Sequence, residues 1–174
     1  MPAPSYMLSL LVRQYLFLLD AFPGRHPCSW LIWEPGAWRA ARSTLEANTA
    51  TTHQPQSRAA HWPVGSDALC FELKGEPGAG LSVGRASDSD IFINDLTLSR
   101  EHLTLTFNDS AWALNVLPAS NALTAIDDAP AGVGQDYPLR SGAQVLAGEV
   151  QLTYYDVAGF LSRLRSEAAQ LTKR

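Results

Sequence analysis

Leu81-Ser82-Val83-Gly84-Arg85 is followed by Ser89-Asp90-Ile91 and then by Ser99-Arg100-Glu101-His102. Guanidinium groups, hydroxyls and one imidazole therefore crowd into a single short run. A guanidinium brings fixed positive charge and forked donors, and a hydroxyl adds a neutral donor. Together they are what a protein needs to hold a phosphate. Glycine directly before Arg85 lets the backbone turn sharply and the side chain project. Catalytic chemistries fit these residues less well. Ser99 and His102 lack the Gly-x-Ser-x-Gly elbow and any placeable third member of a hydrolytic triad. His26, Cys28, His53, His61 and Cys70 match neither a Cys-x-x-Cys nor a His-x-x-x-His ligand spacing, so no metal site is expected. No loop with the pattern of a nucleotide-phosphate cradle occurs. The expectation is a binding protein without cofactor, metal or catalytic activity.

Residues that grip a ligand from turns need stiff elements beneath them. From Leu69 onward the chain reads as short strands. Leu69-Cys70-Phe71-Glu72-Leu73 leads to a turn at Gly75 to Gly80, then come Leu81-Ser82-Val83 and Ile91-Phe92-Ile93. His102 to Phe107 alternates, with Leu103, Leu105 and Phe107 on one face, and Trp112 to Val116 alternates again after the turn Asn108-Asp109. Gln144 to Leu146 and Val150 to Tyr155 complete the series. Short strands separated by turn residues predict an all-β fold, an antiparallel β-sandwich. Beyond it, Asp156 is placed to cap a helix from Val157, with Phe160, Leu161, Leu164, Ala168 and Leu171 on one stripe.

The first third of the chain has a different composition. Residues 1–66 hold four of the five tryptophans and three of the four histidines. The spacing predicts a helix over residues 6–20, with Ser5 as its N-cap. Asn48 to Ala60 is polar and reads as linker or disorder. The expected organisation is an N-terminal extension over 1–66, a sandwich over 67–156 and an amphipathic C-terminal helix over 157–174. On that reading residues 1–63 are dispensable for binding.

Charge narrows the partners. The net charge is −4, and from Asp67 onward fourteen acidic residues face eight basic ones. A net acidic domain lacks the basic face that nucleic acid requires. One phosphate is still within reach of a few local cations. Membrane insertion is disfavoured, because the apolar run Tyr6 to Phe22 is interrupted by Arg13, Gln14 and Asp20, and an arginine at the bilayer centre costs about 2.5–3.5 kcal/mol. Two cysteines do not make a disulfide framework, and a reducing, cytoplasmic setting is the expectation.

The Gly-Arg turn, the Ser-x-x-His turn, Ser120-Asn121, Leu139-Arg140-Ser141-Gly142-Ala143 and Leu146-Ala147-Gly148 together resemble a forkhead-associated (FHA) domain, over about half of the chain. That family reads phosphothreonine in partner proteins. The resemblance implies that Arg85 grips the phosphate, that the Ser99 hydroxyl donates to it, and that Arg100 adds charge. It implies that Asn121 contacts the peptide backbone just after the phosphothreonine, with Ser120 lining the same loop. Gly84 and His102 take structural roles. The implied partner is a phosphothreonine-containing protein, with a Ser/Thr kinase upstream. Ala122 departs from the glycine usual after the loop asparagine, which implies a reshaped loop. A scaffold of the same family that no longer reads phosphate, or a regulatory subunit of a larger complex, is the competing expectation.

Overall fold

The computed structural model describes residues 2–36, 67–78, 80–120 and 122–171. Within them the expected sandwich is present, with a helix at each end of the sequence. Twelve strands are found in the described residues: β1 Ser5–Met7, β2 Ser29–Trp33, β3 Leu69–Leu73, β4 Gly80–Gly84, β5 Ile91–Phe92, β6 Leu103–Asn108, β7 Ala111–Val116, β8 Thr124–Ile126, β9 Ala129–Pro130, β10 Asp136–Pro138, β11 Gln144–Ala147 and β12 Val150–Tyr155. Three α-helices join them: α1 Leu8–Leu18, the single turn α2 Phe22–Arg25, and α3 Val157–Leu171. The larger sheet has the order β1-β3-β2-β12-β11-β8-β9 and the smaller β10-β7-β6-β4-β5. Named strand pairs are antiparallel except β4 with β5, where Val83 lies beside Ile91.

Alternation along the strands builds the core. Leu103 and Leu105 of β6, and Trp112, Leu114 and Val116 of β7, meet Leu69, Phe71 and Leu73 of β3 and Val145 and Leu152 of the hairpin β11–β12. Removing such apolar area from water contributes about 25 cal/mol per Å².

Residues 5–33, read from sequence as an extension, supply two strands of the larger sheet. β2 lies between β3 and β12, with Leu31 beside Phe71 on one side and Tyr154 on the other. Its four residues Trp30 to Trp33 are all buried. Leu31 and Trp33 face the core between the sheets, while Trp30 and Ile32 face outward into a second apolar layer. That layer holds Leu8, Leu11 and Val12 of α1 and Phe160, Leu164 and Ala168 of α3. Trp30 and Phe160 stack with ring centroids 4.5 Å apart. A strand buried on both faces shows a continuous apolar run instead of alternation.

The first helix begins at Leu8, later than the sequence predicts, and Ser5 pairs with Phe71 as part of β1. Met7 stands at the N-cap and supplies no side-chain bond. Asp67, distant in sequence, does that work: its carboxylate accepts from the Ser9 amide at 3.1 Å and the Ser9 hydroxyl at 2.6 Å. An anion there also suits the positive end of the helix. Under the helices, His26 Nδ1 lies 2.7 Å from a Glu72 carboxylate oxygen, both residues being buried. Asp156 caps α3 as expected, accepting from the Gly159 amide at 2.7 Å. Among the described residues no helix is long and apolar enough to cross a membrane.

Candidate functional site

Beyond the ends of β4 and β6 the two chains run on side by side as loops. The Arg85 amide donates to the Ser99 carbonyl and the Ala86 amide to the Arg100 carbonyl, each at 3.0 Å. Gly84 makes this approach possible. A Cβ there would overlap the Arg100 carbonyl group, so only glycine fits. On the other flank the Gly84 carbonyl accepts from the Ile93 amide at 2.9 Å.

The Arg85 side chain is fixed from within. Its Nε donates to the Leu98 carbonyl at 2.9 Å, and the residue is half-buried. The terminal guanidinium nitrogens have no partner among the described residues. Arg85, Ser99 and Arg100 line one open cleft of about 680 Å³, together with Ala86, Asp88, Leu96, Thr97, Leu98, Glu101, Ala119 and Ala122. Ser99 is half-buried and Arg100 exposed. Two cations thus line the same cleft as two acids, Asp88 and Glu101.

His102 is buried beneath the cleft. Its Nδ1 accepts from the Ser99 amide at 3.2 Å, so the proton sits on Nε2, which donates to the Thr124 hydroxyl at 2.8 Å. Burial holds its pKa down at about 4, and the ring is neutral at pH 7. Ser120, expected in the ligand loop, has its hydroxyl 3.4 Å from both ring nitrogens and 3.3 Å from the Ala122 carbonyl. The structure thus makes it a brace between His102 and the next loop. Asn121 lies outside the described residues. Ala122 is half-buried at the cleft wall.

Other residues that shape the site carry only weak sequence signals. Asp90 accepts from both the amide and the hydroxyl of Ser82, at 3.0 and 2.9 Å, tying down the far end of the Arg85 loop. Burial opposes ionisation of Asp90, but hydrogen bonds to the carboxylate, those from Ser82 foremost, and a nearby positive charge favour it, so its pKa lies below the usual carboxylate range. Asp95 is buried and accepts from the Thr97 amide at 2.8 Å and hydroxyl at 2.6 Å. Thr97 in turn accepts from the Glu149 amide at 2.9 Å. Gly148 permits this by taking φ +61° against the Thr97 backbone. An aspartate two residues before a threonine is an Asx-turn signal, but its link to Glu149 spans 52 residues.

Nothing in the cysteines suggests a nucleophile. Burial pushes Cys28 up to about 12 and raises Cys70 well above the ordinary thiol range.

The model of the FHA domain family matches residues 81–148, the stretch that carries the cleft. Solved structures of similar fold include the FHA domain of the CT664 protein from Chlamydia trachomatis, at 16% identity over 74% of this chain and 97% of that chain, TM-score 0.48. The N-terminal FHA domain of S. cerevisiae Rad53p, in complex with a phosphothreonine peptide, is 15% identical over 50% of this chain and 83% of that chain, TM-score 0.44. Mycobacterium tuberculosis EmbR, in complex with a low affinity phosphopeptide, is 20% identical over 49% of this chain and 21% of that chain, TM-score 0.43. None of the curated proteins compared matches this chain.

Proposed function

We propose that this chain, whose residues 81–148 are an FHA domain, is a phosphothreonine-dependent protein-binding module without catalytic activity. The observation that carries the reading is Arg85, which lines the cleft beside Ser99 and Arg100 and whose guanidinium is held by the Leu98 carbonyl at 2.9 Å. A phosphothreonine brings close to two negative charges and three acceptor oxygens. Arg85 supplies the forked donor, Ser99 the hydroxyl, and Arg100 a second charge nearer the rim. Asn121 contacts the peptide backbone just after the phosphothreonine, and Ser120 braces the His102 ring. The ligand is a phosphorylated segment of a partner protein, and its writer is a Ser/Thr kinase. The two buried thiols suit a reducing, cytoplasmic compartment.

Titration calorimetry of the whole chain with a degenerate phosphothreonine peptide pool and its unphosphorylated counterpart is the test. Binding is expected only for the phosphorylated pool. Arg85→Ala is expected to remove it while leaving the fold intact, since losing one partner of a desolvated charged contact costs about 2–5 kcal/mol. Equal affinity for both pools would overturn the reading. One observation favours a second reading, a scaffold that binds a partner without phosphate: Asp88 and Glu101 line the same cleft and oppose an incoming dianion. That reading predicts affinity indifferent to Arg85→Ala.

A further inference from the structure

We propose that the cleft selects phosphothreonine peptides with an arginine or lysine close to the phosphorylated side chain, and that Asp88 and Glu101 make the selection. This rests on the phosphothreonine reading of the cleft. Between Arg85 and His102 the sequence holds four acids, and they divide by what their carboxylates do. Asp90 accepts from the amide and hydroxyl of Ser82, and Asp95 from the amide and hydroxyl of Thr97. Those two fix the shape of the loops. Asp88 and Glu101 are exposed and line the cleft. Among the described residues neither carboxylate has a hydrogen bond or an ion pair. They are charges at the ligand site that the fold itself does not use.

Charge matching names the ligand. Arg85 and Arg100 line the same cleft, so its two cations and its two acids cancel. A phosphothreonine brings close to two negative charges. Alone, it is attracted by the arginines and repelled by the acids. A peptide with a basic residue beside the phosphate is attracted by both pairs. A peptide with an acidic residue there adds like-charge repulsion and is rejected. Chain length sets how near the basic residue must lie. Asp88 stands three residues after Arg85, and Glu101 two after Ser99. An extended chain spans about 3.3–3.6 Å per residue, so each acid is at most roughly 11 Å along the backbone from a phosphate-gripping residue. The same length is covered by three residues of an extended bound peptide. The cleft, about 680 Å³, lies in the size range that takes a drug-sized ligand, so it has space for a neighbour of the phosphothreonine as well.

Fluorescence anisotropy of the full chain with a positional set of phosphothreonine peptides tests the proposal. Each peptide carries Arg, Ala or Glu at one position, from three before the phosphothreonine to three after it. At one or more positions affinity is expected to fall in the order Arg, Ala, Glu, with roughly 5-fold between the extremes, the scale of an exposed ion pair gained against a repulsion. The spread is expected to narrow as salt is raised, because exposed charges are screened. Asp88→Lys with Glu101→Lys is expected to reverse the order, and the milder Asp88→Asn with Glu101→Gln to flatten it. Asp20→Lys with Glu76→Lys changes the net charge as much as the reversal does, at exposed positions outside the cleft, and is expected to keep the order. Equal affinity for Arg, Ala and Glu at every position, an order that survives reversal of the cleft acids, or an order reversed equally by the outer pair overturns the selectivity and leaves the phosphothreonine reading standing. A chain that binds none of the phosphopeptides, or that binds the unphosphorylated Arg peptides as tightly as the phosphorylated ones, overturns that reading and the selectivity with it.

Discussion

Arg85, Ser99 and Arg100 were readable in the sequence because a strand-tip turn and its neighbour bring them together over a short span. Gly84 is the residue that makes their loops meet. Gly84→Ala is expected to push apart the backbone pair formed by Arg85 and Ala86 with Ser99 and Arg100. Overpacking of this kind costs about 1–3 kcal/mol, so both the melting temperature and the phosphopeptide affinity should fall. An unchanged melt would show that the two loops part freely. His102 makes a pH prediction. Its folded pKa of about 4 lies below the ordinary histidine value of roughly 6.5. Between those values the unfolded chain binds the extra proton and the folded chain does not. Stability therefore falls as the pH drops through that window, by about 3 kcal/mol in all. Denaturant melts at pH 7 and pH 4.5 measure it, and His102→Asn should flatten this part of the slope while weakening the fold at pH 7. The direction of the Ser120 hydroxyl was not readable, because it depends on where the His102 ring lies after packing. The clamp from Asp95 through Thr97 to Glu149 joins loops that no local pattern connects.

Elements divide along the same line. β6 and β7 have one core face and one more open face, so their alternation gave them away. β12 kept a recognisable run. β2 did not, since Trp30-Leu31-Ile32-Trp33 is buried on both faces and has no period to detect. β8, β9 and β10 have three residues at most, too few for any pattern. The position of β2 between β3 and β12 changes what truncation should do. We infer that residues 2–36 and 67–171 fold as one unit. A chain beginning at Val64 loses β1, β2 and α1 and leaves the inner edges of β3 and β12 unpaired. Circular dichroism and size exclusion are expected to show loss of the cooperative melt and aggregation; a monomer with a sharp melt would contradict this. Trp30→Ala, a milder probe of the same contact, should destabilise the whole chain by about 3–5 kcal/mol.

Over the whole molecule, the two apolar layers share one sheet, so heating should give a single transition. A ligand that binds only the folded state raises stability as RT ln(1 + [L]/Kd). A phosphothreonine peptide should therefore raise the melting temperature with the logarithm of its concentration, and Arg85→Ala should abolish the rise. The place of β2 also sets a timetable for synthesis. Its partner in β12 is about 120 residues further along the chain, and a ribosome adding about 5–20 residues per second takes roughly 6–24 s to reach it. For that interval two tryptophans, a leucine and an isoleucine in succession have no closed sheet to enter. Transiently exposed apolar surface of this kind makes a folding chain prone to aggregate. Codon choice between β2 and β12, which lengthens or shortens the wait, is a lever on the yield of folded protein that leaves every amino acid unchanged.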